Sequence, residues 1–407
     1  MTGPQPEPEA GDGVSLLELP WARLRLRRWP SGGASSLRAF GHGEAALLLR
    51  IPAHAGPLLL CGDGFGALAL GSAGRTRTLV ADRATTRVAL AANAALNPNL
   101  PAGPPCALTT PLEVPATAVG GERFGAVLLS WPRSHDLGFD QLRRVSAALT
   151  PGTPIEIASR AEDWSANVIR RIGATLDDAV VHRAERRGRR IEGRLRAAPT
   201  PQPIRVAGPD GLTLWSWAGV FAHGHLDVGS ARLLPNLPTR PPTARILDLG
   251  CGNGVLGLVA ALRQPGAHVT FCDDSALAID AARRSWAANA ERLAGRSAAF
   301  LHACDLRSVA NHAIDLVVCN PPAHVEGAET RAAAAAMFAD VERVLHPDGA
   351  FWLVANGHLD YPDRLRQHFA RVVVVQADTR FVVVRAQGPR RQGGRDRSAQ
   401  RPTSEEG

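Results

Sequence analysis

One layout is written twice in this chain. GPLLLCGDGFGALAL (56–70) and ARILDLGCGNGVLGLVAAL (244–262) each run from an apolar strand pattern through alternating glycines into a helical pattern, so that Gly62, Gly64 and Gly66 match Gly250, Gly252 and Gly254. LVADR (79–83) and FCDD (271–274) then end strands at Asp82 and Asp273, AANA recurs at 91–94 and 287–290, and FGAVLLSWPRS (124–134) parallels IDLVVCNPPAH (314–324). Ser130 falls where Asn320 falls, 68 residues after Gly62 against 70 residues from Gly250 to Asn320. Ordered matches at near-equal spacing mark an internal duplication. Strand and helix alternate in both copies, so each predicts an α/β domain with a mostly parallel sheet and flanking helices.

The 407 residues, 45% of them hydrophobic, suffice for two such cores. The first domain is expected over 14–195 and the second over 205–387, with the proline-broken RAAPTPQPI (196–204) as linker. Residues 388–407, rich in Gly, Arg and Ser, have little to bury and are expected to be disordered. The acidic, proline-rich start is unlike a signal peptide, and no apolar run approaches the twenty or so residues of a membrane span, so a cytoplasmic protein is expected. Its six cysteines form no C-x-x-C pair, which fits reduced thiols better than disulfides or zinc, and no metal site is expected.

The net charge of +8 is unevenly placed. Residues 1–204 hold 24 Arg against 18 acids, residues 205–387 hold 17 against 17, and the tail holds 5 against 3. Seven of the arginines crowd into VHRAERRGRRIEGRLRAAPT (181–200), among them Arg186, Arg187, Arg189 and Arg190. That run is either a solvated connecting helix or a site for an anionic partner.

Only the second copy carries a full set of polar groups. Asp248 precedes the glycine turn, Cys251 and Asn253 lie inside it, Asp273 ends the next strand where an acid can grip ribose hydroxyls, and Asp305 ends the third. The fourth strand stops at CNPPAHVEG (319–327), where Pro321 and Pro322 lack an N–H and hold Asn320 in one orientation at the carboxyl end. Such a turn can simply end a strand; ligands of open parallel sheets also bind at that edge. In the first copy Leu60 stands for Asp248, and Ser130–Trp131 for Asn320–Pro321, so that copy is expected to have lost its chemistry.

GVFAHGHLDVGSARLL (219–234), LDLGCGNGVL, CDDSALAI, NPPAH, ANGHLDYPD (355–363) and RFVVVRA (380–386), with WPRSHDLGFDQL (131–142) in the first half, resemble the family that methylates the exocyclic N2 of guanine in ribosomal RNA. The resemblance runs from about residue 14 to 387 and implies two tandem Rossmann-like class I methyltransferase domains, the first of them degenerate. It implies S-adenosyl-L-methionine as cofactor, with Asp248 and the Gly250–Gly254 loop at its methionine end, Asp273 on the ribose and Asp305 on the adenine amine. Asn320 and the Pro321 carbonyl would hold the substrate amine, with Pro322 and His324 beside them. The implied partner is ribosomal RNA or a ribosomal subunit, 16S ahead of 23S, met by a monomer without a membrane. Family members usually carry an aromatic residue after N-P-P, where Ala323 stands here, so the base would stack elsewhere or bind more weakly.

Several residues keep two readings. Phe221 is either core or a platform for the base, His324 either a turn residue or a base contact, and Tyr361 a cap of the DYPD turn. A protein glutamine methyltransferase would use the same amide and carbonyl, though it normally lacks a duplicated domain. A ribosome-assembly RNA-binding protein with a decayed cofactor site is the non-enzymatic alternative; the intact Asp248, Asp273, Asn320 and glycines oppose it.

Overall fold

The computed structural model describes residues 13–29, 38–185, 187–239, 244–321 and 328–390. A short antiparallel hairpin, β1 (Val14–Leu19) and β2 (Ala22–Arg27), precedes the first sheet. That sheet is made of β3 (Leu58–Cys61), β4 (Arg77–Val80), β5 (Ala107–Thr109), β6 (Ala126–Ser130), β7 (Pro154–Arg160), β8 (Leu176–Val181) and β9 (Gly188–Leu195). A second hairpin, β10 (Ile204–Ala207) and β11 (Thr213–Ser216), leads to the second sheet. Its strands are β12 (Arg245–Leu249), β13 (His268–Asp273), β14 (Ser297–His302), β15 (Ile314–Cys319), β16 (Leu345–Asn356), β17 (Phe369–Ala377) and β18 (Phe381–Pro389).

The two seven-stranded sheets share one topology, β5-β4-β3-β6-β7-β9-β8 and β14-β13-β12-β15-β16-β18-β17. In each, the first five strands run parallel, the sixth in the order (β9, β18) runs against both its neighbours, and the edge strand (β8, β17) returns to the common direction. The central strands are continuous apolar runs because helices cover both faces: Leu58, Leu59 and Leu60, and likewise Ile246, Leu247, Leu316 and Val317, are fully buried. Strand order reverses between β12 and β15, and between β3 and β6. A crevice opens at the carboxyl ends there, and the glycine turns stand at it.

The arginine run is not a helix. It forms the β8–β9 hairpin on the edge of the first sheet, because its residues pair in register with β7. Arg190 turns back to Glu156 and Glu192, 2.5 Å from each, and its side chain is 13% exposed. Glu156 is itself buried and also meets Arg50 at 3.3 Å and His54 at 3.1 Å. Arg190 therefore holds the sheet together and is withdrawn as a contact for a partner. Arg187 is exposed at positive φ and Arg189 is half-buried, while Arg186 lies outside the described residues. At the other end, β18 continues through Pro389, past the start expected for the tail, because Phe369 of β17 pairs with Pro389. Tyr361 is buried edge-on against Phe338, 5.3 Å between ring centres, and serves as core.

The halves meet through the ends of β4 and β13. The Asp82 carboxylate accepts from the Ser275 hydroxyl at 2.7 Å and the Leu277 amide at 3.0 Å, capping helix Ala276–Ala288 of the other half. Asp274 answers by accepting from the Thr85 amide and hydroxyl, at 2.7 and 2.8 Å, at the start of helix Ala84–Ala95. The main chains bond as well, Ala276 N to Asp82 O and Ala84 N to Asp274 O, both 2.8 Å. His302 Nε2 lies 3.0 and 2.9 Å from the same two carbonyls. Beside this clasp Leu137 of the first half packs against Trp217, Val220 and Leu277 of the second.

Candidate active site

At the end of β12 the chain turns through Gly250, Gly252 and Gly254 at φ of 68°, 53° and 85°. These are left-handed values that glycine adopts without steric cost. A Cβ at Gly250 or Gly252 would meet no atom within 4 Å, so the turn borders open space on the ligand side. At Gly254 it would press on Phe271 and Ala282 at 3.2 Å; that glycine serves helix packing instead.

The turn's amides are engaged inside the protein. Gly250 and Cys251 donate to the Cys272 carbonyl, at 2.8 and 3.1 Å, and Gly252 to Asp273 Oδ2 at 2.9 Å. Of the loop expected at the cofactor's methionine end, the amides of Gly250, Cys251 and Gly252 are thus already engaged. The neighbouring strand end claims them.

Asp248 supplies what they do not. It is fully buried, and its Oδ2 accepts from the Gly257 amide at 2.8 Å, while Oδ1 has no partner among the described residues. Burial pushes its carboxyl up to about 8, the Gly257 amide opposing and the Asp273 charge adding to the rise. A buried orphan acceptor is costly, and an ammonium group would satisfy it. Open glycines and an unpartnered acid fit the amino-acid end of S-adenosylmethionine. Asp273, whose carboxyl burial raises, accepts from Gly252 and from the Ser275 amide at 2.9 Å. Asp305 is bound to Arg307 at 2.7 Å, which lowers its pKa. It faces a cavity of about 280 Å³ between the halves, lined also by Arg83, Arg87, Thr110, His302 and Cys304.

Asn320 follows β15 directly, across the crevice from the glycine turn. Its Nδ2 donates to Asp227 Oδ2 at 2.7 Å and to Ser230 Oγ at 3.0 Å. A hollow joins Asn320 to Gly250, Cys251, Gly252, Asn253 and Phe221. Phe221 is 52% exposed on this hollow and is therefore not core. Pro321 is buried beside Asn320. Pro322, Ala323 and His324 lie outside the described residues.

Asp227 and Ser230 went unrecognised as polar neighbours of the site. An Asp just ahead of an apolar helical pattern is an N-cap signature, and Asp227 does cap helix Val228–Leu233 through the Ser230 amide at 2.8 Å. Nothing in that pattern points 93 residues onward to Asn320. All six cysteines are unpaired, and Cys61, Cys251, Cys272 and Cys319 are buried.

Residues 211–385 match the model of the methyltransferase small domain, and residues 14–197 that of the RLMG N-terminal domain. The chain is 33% identical over 384 residues to the ribosomal RNA large subunit methyltransferase G of Streptomyces avermitilis, covering 90% of this chain and 97% of that one. It is 32% identical over 391 residues to the protein of the same name from Pseudomonas entomophila, at 92% and 100% coverage. Among solved structures, the T. thermophilus 16S rRNA N2 methyltransferase RsmC, in complex with AdoMet and guanosine, superposes with a TM-score of 0.73 over 92% of this chain and 98% of its own, at 22% identity. The fold is thus that of tandem Rossmann-like methyltransferase domains, and the chain belongs to the ribosomal RNA large subunit methyltransferase G family.

Proposed function

We propose that the protein transfers a methyl group from S-adenosylmethionine, the cofactor of its family, to the exocyclic N2 of a guanine in ribosomal RNA. One observation carries the reading: an amide, Asn320, stands at the switch point of the second sheet, with its N–H end tied and the open glycine turn opposite. When bound, the cofactor supplies a methyl group on a sulfonium, an electrophile that needs no metal; the S–C bond would break to a neutral thioether as the N–C bond forms, and the amine would give up one N–H proton. The chain's own task is placement. The lone pair of the guanine amine is delocalised into the ring, so acceptors on its two N–H bonds must draw the nitrogen toward sp3. The Asn320 carbonyl and the Pro321 main-chain carbonyl are two such acceptors. Asp248 would take the cofactor's ammonium, Asp273 its ribose hydroxyls and Asp305 its adenine end. Phe221 would serve as platform for the base in place of the aromatic residue absent at Ala323.

The relatives are named for the large subunit, which moves the proposal from 16S to 23S rRNA. Arg187 and Arg189 remain candidates for phosphate contact in the first half. Mass spectrometry of nucleosides from 16S and 23S rRNA of a deletion strain tests the reading. It requires loss of one N2-methylguanosine from 23S rRNA. An unchanged nucleoside profile in both rRNAs would refute it.

A further inference from the structure

An asparagine amide is close to symmetric in shape, and a half-turn about its last bond exchanges acceptor for donor. If Asn320 is to accept from an amine, something must stop that exchange. The clasp described above does so. Asp227, as a carboxylate, can only accept, and its Oδ2 faces Asn320 at 2.7 Å. A flipped amide would set Oδ1 against that oxygen. Ser230 Oγ accepts from the same Nδ2 at 3.0 Å; a hydroxyl can serve either orientation, so the discrimination lies with Asp227. The clasp also depends on a missing side chain: a Cβ at Gly229 would stand 3.0 Å from Asp227 Oδ2 and 3.4 Å from both Nδ2 and Oδ1 of Asn320.

We propose that Asp227, assisted by Ser230 and by the space at Gly229, is a positioning residue that locks the Asn320 amide with its oxygen toward the substrate amine. The proposal rests on the role given to Asn320 above. Asp227 has a second task, capping helix Val228–Leu233, and the test must separate the two.

Serine and asparagine both cap helices well, but serine is too short to reach Asn320, whereas asparagine can still present an oxygen to it. Transfer of tritiated methyl groups from S-adenosylmethionine to rRNA of the deletion strain should therefore rank the variants. Asp227→Ser is expected to lose about ten- to a hundredfold in single-turnover rate, with the KM for RNA and the cofactor Kd within about threefold of wild type. Asp227→Asn should recover most of that rate. A role in capping alone would leave both variants at the wild-type rate. Gly229→Ala, which adds a good helix former, should slow transfer severalfold while the melting temperature holds or rises. Asp227→Ser at wild-type rate, with Asn320→Ala inactive, would overturn the positioning role alone. Asn320→Ala at wild-type rate would overturn both it and the reading on which it rests.

Discussion

The two halves have the same strand order and differ at the mouth of the sheet. In the second half the residue facing the helix amide is Asp248 on the strand, one of whose oxygens has no partner among the described residues, beside open glycines. In the first half Leu60 has that place, and an acid from inside the turn substitutes: Asp63 accepts from Gly66 and Ala69, both at 2.9 Å, with Ala69 as many residues past Gly62 as Gly257 is past Gly250. Both Asp63 oxygens are thereby engaged within the turn. A Cβ at Gly62 would strike the Ser130 carbonyl at 2.1 Å, where Gly250 meets nothing. The strand ends differ as well. Asp273 holds its own glycine turn at a place where the first half has Ala81, whereas Asp82 and its true counterpart by register, Asp274, both reach across to a helix of the other half. One framework thus keeps a pocket where Asp248 has an oxygen without a partner among the described residues, and closes it where Asp63 satisfies both its oxygens within the turn.

The largest effect expected from this contrast is at the strand ends. Asn320→Ala should lower the transfer rate at least about a hundredfold with cofactor binding retained, while Ser130→Ala, its counterpart, should leave the rate within about twofold. A variant Asn320→Ala with more than about a tenth of wild-type turnover would remove the distinction.

Calorimetry should find one cofactor per chain, bound by the second half, and Asp248→Asn should weaken it by about ten- to a hundredfold, because a neutral amide pairs less well with the ammonium. The same acid predicts a pH dependence. Burial raises its pKa from 3.8 to about 8, so in the free protein it holds a proton at neutral pH, and a bound ammonium favours its release. Affinity should rise from pH 6 toward about 8, with proton uptake by buffer on binding, and Asp248→Asn should flatten the trend. For stability the sign is opposite. The folded form keeps the proton longer than the unfolded one, so Asp248 lowers stability as pH climbs from 3.8 through about 8.

In the joint, Asp82→Asn should cost about 1 to 3 kcal/mol, because a half-buried acceptor of two bonds is altered. Differential scanning calorimetry should show the unfolding of the halves moving apart. A single unchanged transition would demote the clasp to incidental contact. Arg190→Gln should destabilise the first half by a similar amount, since Glu156 would keep its burial and lose its nearest charge.

The smallest effect concerns RNA. Replacing Arg187 and Arg189 by Gln should lower the log-log salt slope of RNA binding by about 0.7 to 0.9 for each phosphate no longer neutralised, without changing cofactor affinity. An unchanged slope would leave the hairpin a purely structural edge and shift the search to the rest of the first half's face.

The duplication, the alternation of strand and helix, and the acids beside the glycine turn and at the strand ends were legible in the chain because each depends on local pattern. Apolar runs of strand length, glycines at φ values costly to other residues, and an acid at a strand end are all set within a few positions. The arginine run was not, since β8–β9 pairing and the burial of Glu156 depend on β7, more than twenty residues away. Nor was the state of the turn's amides, which the Cys272 carbonyl and Asp273 on a neighbouring strand determine. Sequence by itself determined that two copies of one layout are present and that only the second has Asp248 before its glycine turn and Asn320 at its fourth strand end. Only the tertiary structure decided how those groups are held, Asn320 by Asp227 and Asp82 by a helix of the other half. A hydrogen bond between distant segments has no periodicity for a sequence to display, and exists only once both sheets have brought its ends within about 3 Å.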